Sequence, residues 1–466
     1  MSGHGMRRLA GVVVAVAIGL AGAAVATPAA ADDPLPVAGC DRAATRIELT
    51  ASAALDPSCT YTEGVTITAS NVVLDCRQAL IQRSGGGIGI LVTTPADVDL
   101  VDVAIRNCRV DGFLNSIHLR RDGFNHLAAG EEYVHHLDGV HIEDNLLTNS
   151  RGVSIYVDGY VTGTVIQHNG IVNAGSDAVY LDAGSRYGTV VENALLHNGY
   201  GENGPEGQVT DFNGVQFRSW GPGREGIAVD GSRDNLIARN WIIGSSAGGV
   251  FLYTNCGEYV HQQPDSWVEH RFGAEHNVVE DNIISGGENG VWVGSRMAEN
   301  VFPMDCSDVP YVSGPIQAIT LDRAAGNTVR RNTIMDVTYG VRVEDDGARV
   351  VHNTFLGTDA SKWAVIVGTP FRTTALGHPV TDTVVRGNRS KIVGNPSPYR
   401  WVTATEGLLA WRNRALGTET GFCEAPEPPR GPFVMTYAIA VQPQGVPPVP
   451  KPDFEIPRLG ALPACR

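Results

Sequence analysis

A short pattern ending in asparagine recurs along this chain and constrains its fold more than any other feature. It reads Thr164-Val-Ile-Gln-His-Asn169, Asn235-Leu-Ile-Ala-Arg-Asn240, Asn277-Val-Val-Glu-Asp-Asn282, Asn327-Thr-Val-Arg-Arg-Asn332 and Ala348-Arg-Val-Val-His-Asn353. Asn107, Asn145 and Asn193 are read at the same point, and Asn145, Asn169 and Asn193 are spaced 24 residues apart. An apolar pair follows each asparagine, as in Leu146-Leu147, Ile171-Val172 and Ile283-Ile284. A small-residue turn then leads to Gly152-Val-Ser-Ile, Ala178-Val-Tyr-Leu, Gly226-Ile-Ala-Val, Gly249-Val-Phe-Leu, Gly290-Val-Trp-Val or Gly340-Val-Arg-Val.

Three short period-two strands per repeat predict an all-β, single-stranded parallel β-helix. One coil cannot bury its own apolar side, but stacked coils share a continuous core. Stacked asparagines at one bend would exchange side-chain amide hydrogen bonds from coil to coil. No amphipathic helical stretch recurs between the strands, which excludes a βαβ arrangement. The segment boundaries expected are 1–31 as an export signal, 32–70 as an N-terminal cap, 71–394 as the β-helix and 395–466 as a Pro-rich cap and tail. Over roughly Asn71 to Asn388 the pattern resembles the right-handed parallel β-helix superfamily with the pectin-lyase-like fold. That resemblance implies secretion and chemistry on polysaccharides. No Trp-x-Asp-His, Asn-Thr-Asp, Gly-Asp-Asp or Asp-Pro-His-Asp motif is present, so no family's catalytic residues carry over.

Arg7 and Arg8 precede the apolar run Leu9 to Ala26, and small residues up to Ala31 offer a cleavage site. A secreted protein processed near Ala31 is expected, with no membrane span. Eight cysteines in an exported chain then read as disulfides. Sequence order pairs Cys40 with Cys59, Cys76 with Cys108, Cys256 with Cys306 and Cys423 with Cys465. The formal charge of −15 disfavours binding to nucleic acid or anionic lipid, and a monomer is expected.

Strand alternation places one set of side chains on the outer face of the Gly-Val-x-Val sheet. Coil by coil these read His118 and Arg120, Ser154 and Tyr156, Tyr180 and Asp182, Ala228 and Asp230, Phe251 and Tyr253, Trp292 and Gly294, Arg342 and Glu344. Aromatic faces beside carboxylates suit sugar binding. Tyr156, Tyr180, Phe251, Tyr253, Trp292, Arg296 and Glu344 are therefore the candidate substrate contacts. Segments 198–224, 255–275 and 296–317 are insertions beside the same sheet, expected to wall a groove; the alternative is that they cover the aromatics as a second core.

Asp182 and Asp230 fall on successive coils if 198–224 is a loop, which brings two carboxylates within one strand spacing. Such a pair suits acid and base roles in glycoside hydrolysis, with Arg224, Glu225, His270 and Arg271 as further catalytic candidates. Calcium held by Asp182 and Asp230 is the metal alternative, for a lyase or C5-epimerase acting on a uronic-acid polymer. A non-catalytic carbohydrate-binding β-helix is the third reading. His118, His126, His135 and His136 form a histidine group for which solvated side chains are the simpler reading.

Overall fold

The computed structural model describes residues 34–200, 208–212, 215–219, 224–254, 271–294, 297–298, 320–321, 324–358, 362–368, 379–402, 405–421 and 423–424. Contacts divide the chain into two units, Met1–Leu35 and Pro36–Arg466. Among the described residues, no helix is long and apolar enough to cross a membrane.

The second unit is a right-handed parallel β-helix built from three sheets of thirteen strands each. We call them the first, second and third sheets in the order one coil visits them, as in Ile155–Val157, Val165–Gln167 and Gly170–Val172. Each of these strands pairs in parallel with its equivalent on the coils before and after. Pairing begins at Val37–Ala38 and reaches Cys423–Glu424, so coils extend past both ends of the 71–394 segment. The insertion 198–224 contributes an antiparallel hairpin, Gln208–Phe212 with Val215–Ser219, outside the three sheets.

The core is one aliphatic column per sheet. Ile166, Val190, Ile237 and Val279 come from the second sheet, and Ile171, Leu195, Ile242 and Ile284 from the third. Ile155, Val179, Ile227 and Val250 come from the first, and all are essentially inaccessible to solvent. Each such side chain contributes about 1.5–3 kcal/mol of transfer free energy.

Register at the bend between the second and third sheets is held by asparagines 145, 169, 193, 240, 282, 332, 353, 388 and 413. Each up to Asn388 donates its amide to the carboxamide oxygen of the next at 2.9–3.1 Å. The same oxygen takes the backbone N–H of the preceding asparagine, as Asn282 does for Asn240 at 2.9 Å. The second amide proton goes to a backbone carbonyl, as from Asn282 to Ile237 at 2.9 Å. Buried polar groups at the bend are thereby paired. The residue before the asparagine has positive φ, including His168, Glu192, Arg239, Asp281, Arg331 and His352. That geometry costs a residue with a Cβ about 1–2 kcal/mol, which the ladder offsets. Asn235, Asn277 and Asn327 form a second, shorter ladder at the opposite end of the same strands.

Asn107 departs from the expected column. Arg106 pairs with Glu143, which puts Asn107 in the left-handed position and Cys108 in the ladder position, its N–H donating to Asn145 Oδ1 at 2.9 Å. Cys108 is disulfide-bonded to Cys76, and Cys40 to Cys59, as sequence order suggested. Cys256, Cys306 and Cys465 lie outside the described residues, as does the Cys423 side chain.

A second departure lies where the third sheet turns into the first. The residue before each core position of the first sheet also points inward, so two consecutive residues face the core. A Cβ on Gly249 would sit 2.5 Å from Ile284 Cγ2, and one on Gly290 2.4 Å from Ile334 Cγ2. Only small residues fit there. Ser154 occupies this column and is buried, its hydroxyl 2.8 Å from Ser150, rather than on the outer face where alternation had put it.

Replacing Asn282 by Ala removes the acceptor for Asn240 and the donor to Asn332 in one step. Unfolding in urea is expected to show a loss of about 1–3 kcal/mol; an unchanged midpoint would contradict the ladder's role.

Candidate functional site

Outward residues of the first sheet form two rows along the coil stack. Leu91, His118, Tyr156, Tyr180, Ala228, Phe251, Trp292 and Arg342 are in register in the first row. Two residues later on each strand comes the second row. Val157, Leu181 and Val229 are in register, so Asp158, Asp182 and Asp230, which follow them, occupy one column on three successive coils. Asp182 and Asp230 are thus neighbours across one strand spacing, as the reading of 198–224 as an insertion required.

A polar group of the first row reaches diagonally to a carboxylate on the next coil. His118 Nε2 lies 2.7 Å from Asp158 Oδ1. The Tyr156 hydroxyl donates to Asp182 Oδ2 at 2.7 Å, and the Tyr180 hydroxyl donates to Asp230 Oδ2. Further along, Trp292 Nε1 donates to Glu344 Oε2 at 2.9 Å. The diagonal follows from geometry, because a ring two residues upstream on one coil spans the strand spacing to the next. The rings also touch one another, with centroids 4.8 Å apart for His118 and Tyr156 and 5.3 Å for Tyr156 and Tyr180.

Burial, reinforced by the nearby carboxylate of Asp182, holds the Tyr156 hydroxyl well above the usual tyrosine range. Burial does the same for Tyr180, with Asp230 the strongest charged contributor. Both phenols therefore remain protonated donors across the physiological range. Asp182 also accepts the Ala183 N–H at 2.8 Å.

The open groove expected along all seven coils is not what the outer face presents. Phe251, Tyr253 and Trp292 are each 1% exposed and pack with Ala228, Ala247 and Tyr180 as a second apolar cluster. Large aromatic surface gains more from burial than from hydration, which is the secondary-core alternative for these three. Glu344 is buried under Trp292 and binds Arg342 at 2.6 Å, so it too is closed off from solvent. The other end is less tightly sealed: Tyr156 and Tyr180 are partly exposed and Asp182 retains 7% of its surface, while Asp230 is buried at 1%.

The remaining sequence candidates separate. Glu225 is buried at the start of Glu225–Asp230, and Arg224 is partly buried beside it, its N–H donating to Ser246 Oγ at 3.0 Å. Arg271 binds Glu132 at 2.6 Å and the Leu127 carbonyl at 2.7 Å, tying down the 123–136 loop. His270 and Arg296 lie outside the described residues. The histidine group does not assemble: His118 faces Asp158, while His135 lies 3.5 Å from Asp99. Among the described residues, the one set of three or more potential ligands meeting at a point is Cys40, Asp56 and Cys59, whose cysteines are disulfide-bonded.

Asp158 is the residue that sequence reasoning missed. The signal was present in Tyr156-Val-Asp158, Tyr180-Leu-Asp182 and Ala228-Val-Asp230, one triplet on three coils. Starting the alternation at Gly152 ended that strand two residues early. A separate open groove of about 620 Å³ lies at the third sheet, lined by Thr62, Glu63, Arg83, Asp111, Asn149 and Arg151 among others.

Residues 209–363 match the family model described as periplasmic copper-binding protein (NosD). No curated protein matches the chain. Similar solved structures include the Dettilon tailspike protein gp208, at 11% identity and a TM-score of 0.45, covering 79% of this chain and 61% of that one. The catalytic domain of a GH87 alpha-1,3-glucanase in complex with nigerose has 11% identity and a TM-score of 0.39, covering 82% and 61%. An Azotobacter vinelandii mannuronan C-5 epimerase A-module has 14% identity and a TM-score of 0.43, covering 83% and 93%. The chain spans about three fifths of the tailspike and glucanase chains. The fold itself rests on the strand register described above.

Glu288, at the edge of the closed end, has its carboxyl pushed up by burial, with Arg342 opposing and Glu344 reinforcing. A raised carboxyl favours the folded state below the ordinary glutamate range, and that contribution is lost as pH rises through the raised value. Glu288→Gln is expected to raise the melting temperature at pH 7 relative to the parent and to leave little difference at pH 4. A lower melting temperature at pH 7 would contradict this.

Proposed function

We propose that this protein is a secreted glycosidase that cleaves a polysaccharide lying across the first sheet at Asp158, Asp182 and Asp230. The observation that carries this reading is the pair Asp182 and Asp230, in register on adjacent coils, each receiving a hydrogen bond from a tyrosine that stays protonated. Their backbones stand one strand spacing apart, about 4.8 Å, which allows the carboxyl groups the roughly 5–5.5 Å separation used in hydrolysis with retention of configuration.

In this reading Asp182, the less buried of the pair, protonates the glycosidic oxygen as the bond to the anomeric carbon breaks. Asp230, whose Oδ2 accepts the Tyr180 hydroxyl, attacks that carbon. Water, deprotonated by Asp182, then releases the sugar and regenerates both carboxyl groups. Asp158, oriented by His118, binds a hydroxyl of the adjoining sugar. Tyr156 and Tyr180 supply the partly exposed aromatic surface against which a pyranose ring packs. The two disulfides favour an oxidising compartment, in keeping with export.

A calcium-assisted lyase or epimerase using the same carboxylates is the second reading, since a row of aspartates offers hard oxygen ligands. Mass spectrometry of digests made with calcium and with EDTA, with proton NMR for epimerisation, which leaves the mass unchanged, separates the two. Hydrolysis gives products that have gained water in both conditions, whereas an EDTA-sensitive reaction giving unsaturated products would replace it. Asp182→Asn is expected to lower turnover by about 10²–10⁴-fold while oligosaccharide still binds. Unchanged turnover in that variant would overturn the assignment.

A further inference from the structure

Two arginines stand beside the carboxylate row, on the turns that lead from the first sheet to the second. Arg186 follows Asp182 by four residues, Arg233 follows Asp230 by three, and the two arginines face each other in bridge register on adjacent coils. The turns are tied by Ser185 Oγ, which donates to Ser232 Oγ at 2.7 Å.

Aromatic rings frame both guanidinium groups. Arg186 lies 3.4 Å from the centre of the Tyr133 ring and 5.1 Å from that of Tyr187, while Arg233 lies 4.4 Å from that of Phe272. Tyr133 donates its hydroxyl to the Gly184 carbonyl at 2.6 Å, which fixes this frame two residues from Asp182. Burial pushes the Tyr133 hydroxyl up, so it is a neutral neighbour and does not neutralise either arginine.

The two arginines differ in their counter-charges. Among the described residues Arg186 has no carboxylate partner, and Arg233 has Asp234 at 3.8 Å, outside hydrogen-bond range. The Nε atoms of both are buried without a hydrogen-bond acceptor. Both side chains are nonetheless partly open to solvent, and Tyr187 beside them is 54% exposed. Two like charges in register repel, and a partly desolvated guanidinium whose Nε has no acceptor is costly. An external anion bridging the two relieves the repulsion, and the guanidinium fork suits a planar or tetrahedral oxyanion.

We propose that Arg186 and Arg233 form a subsite for the acidic substituent, carboxylate or sulfate, of a glycan whose neighbouring bond lies at Asp182. The substrate class is then an acidic polysaccharide, held by a local cationic pair on a chain whose formal charge is −15. This rests on the glycan-binding reading of the first sheet and adds to it the charge of the ligand.

The test uses calorimetry on the full chain with a uronic-acid oligosaccharide, the same oligosaccharide after reduction of its carboxyl groups, and a sulfated oligosaccharide. The acidic form is expected to bind about tenfold or more tightly than the reduced form, a preference that weakens with salt. Arg186→Gln and Arg233→Gln are expected to abolish this preference without changing affinity for the reduced form. Arg186→Lys, which keeps the charge and loses the fork, is expected to retain part of it, with melting temperature as the control for folding. Tighter binding of the sulfated ligand assigns the substituent as sulfate. Equal affinity for acidic and reduced forms, or an unchanged preference in folded variants, would overturn the subsite. If Asp182→Asn abolishes turnover while the arginine variants bind normally, the subsite fails and the enzyme reading stands. Arginine-dependent binding with turnover unchanged in Asp182→Asn is the reverse case.

Discussion

Coil-to-coil register at the asparagine bend is the constraint on which the rest depends. A parallel strand slipped by one residue would turn its whole core set outward, and the three sheets share one chain, so a slip in one is a slip in all. The ladder from Asn145 to Asn413 opposes this because each carboxamide inside it accepts two hydrogen bonds from the coil before and donates its amide to the coil after, with every partner on a fixed coil. Where the ladder stops, the disulfide from Cys76 to Cys108 continues the restraint covalently toward the N-terminal coils.

Fixed register is what gives the outer face its chemistry. Because Val157, Leu181 and Val229 align, the aspartates after them align as well, and the residue before each of those three falls in the row that faces them diagonally. A single stacking rule therefore produces the contacts from His118 to Asp158, Tyr156 to Asp182 and Tyr180 to Asp230. The same rule at Trp292 and Glu344 gives a closed, apolar end, because Ala228, Ala247, Phe251 and Tyr253 supply a cluster for the indole to join. A row of carboxylates beside partly exposed tyrosines at one end and sealed aromatic surface at the other come from identical backbone geometry with different side chains.

The repeat made the architecture legible in sequence, since apolar periodicity and a bend residue recur at near-constant spacing. Detail was lost where local geometry breaks the period. Asn107 stood one place off because its neighbour Cys108 takes the ladder position, and both residues suit a bend. Ser154 was assigned outward because strict alternation cannot register two consecutive inward residues, and Asp158 was lost with it. The buried state of Phe251, Tyr253 and Trp292 depends on tertiary cover, which no strand pattern encodes. Arg271 likewise reads as a free loop cation until its pairing with Glu132, 139 residues away in sequence, is seen.

The central claim is that the ligand lies over the aspartate row between Tyr156 and Tyr180. A crystal structure of Asp182→Asn soaked with an oligosaccharide that the parent cleaves tests it most directly. A sugar ring is expected against Tyr156 or Tyr180, with its glycosidic oxygen within hydrogen-bond distance of the residue at 182. Sugar bound instead in the groove between Thr62 and Arg151, with the aspartate row empty, would contradict it.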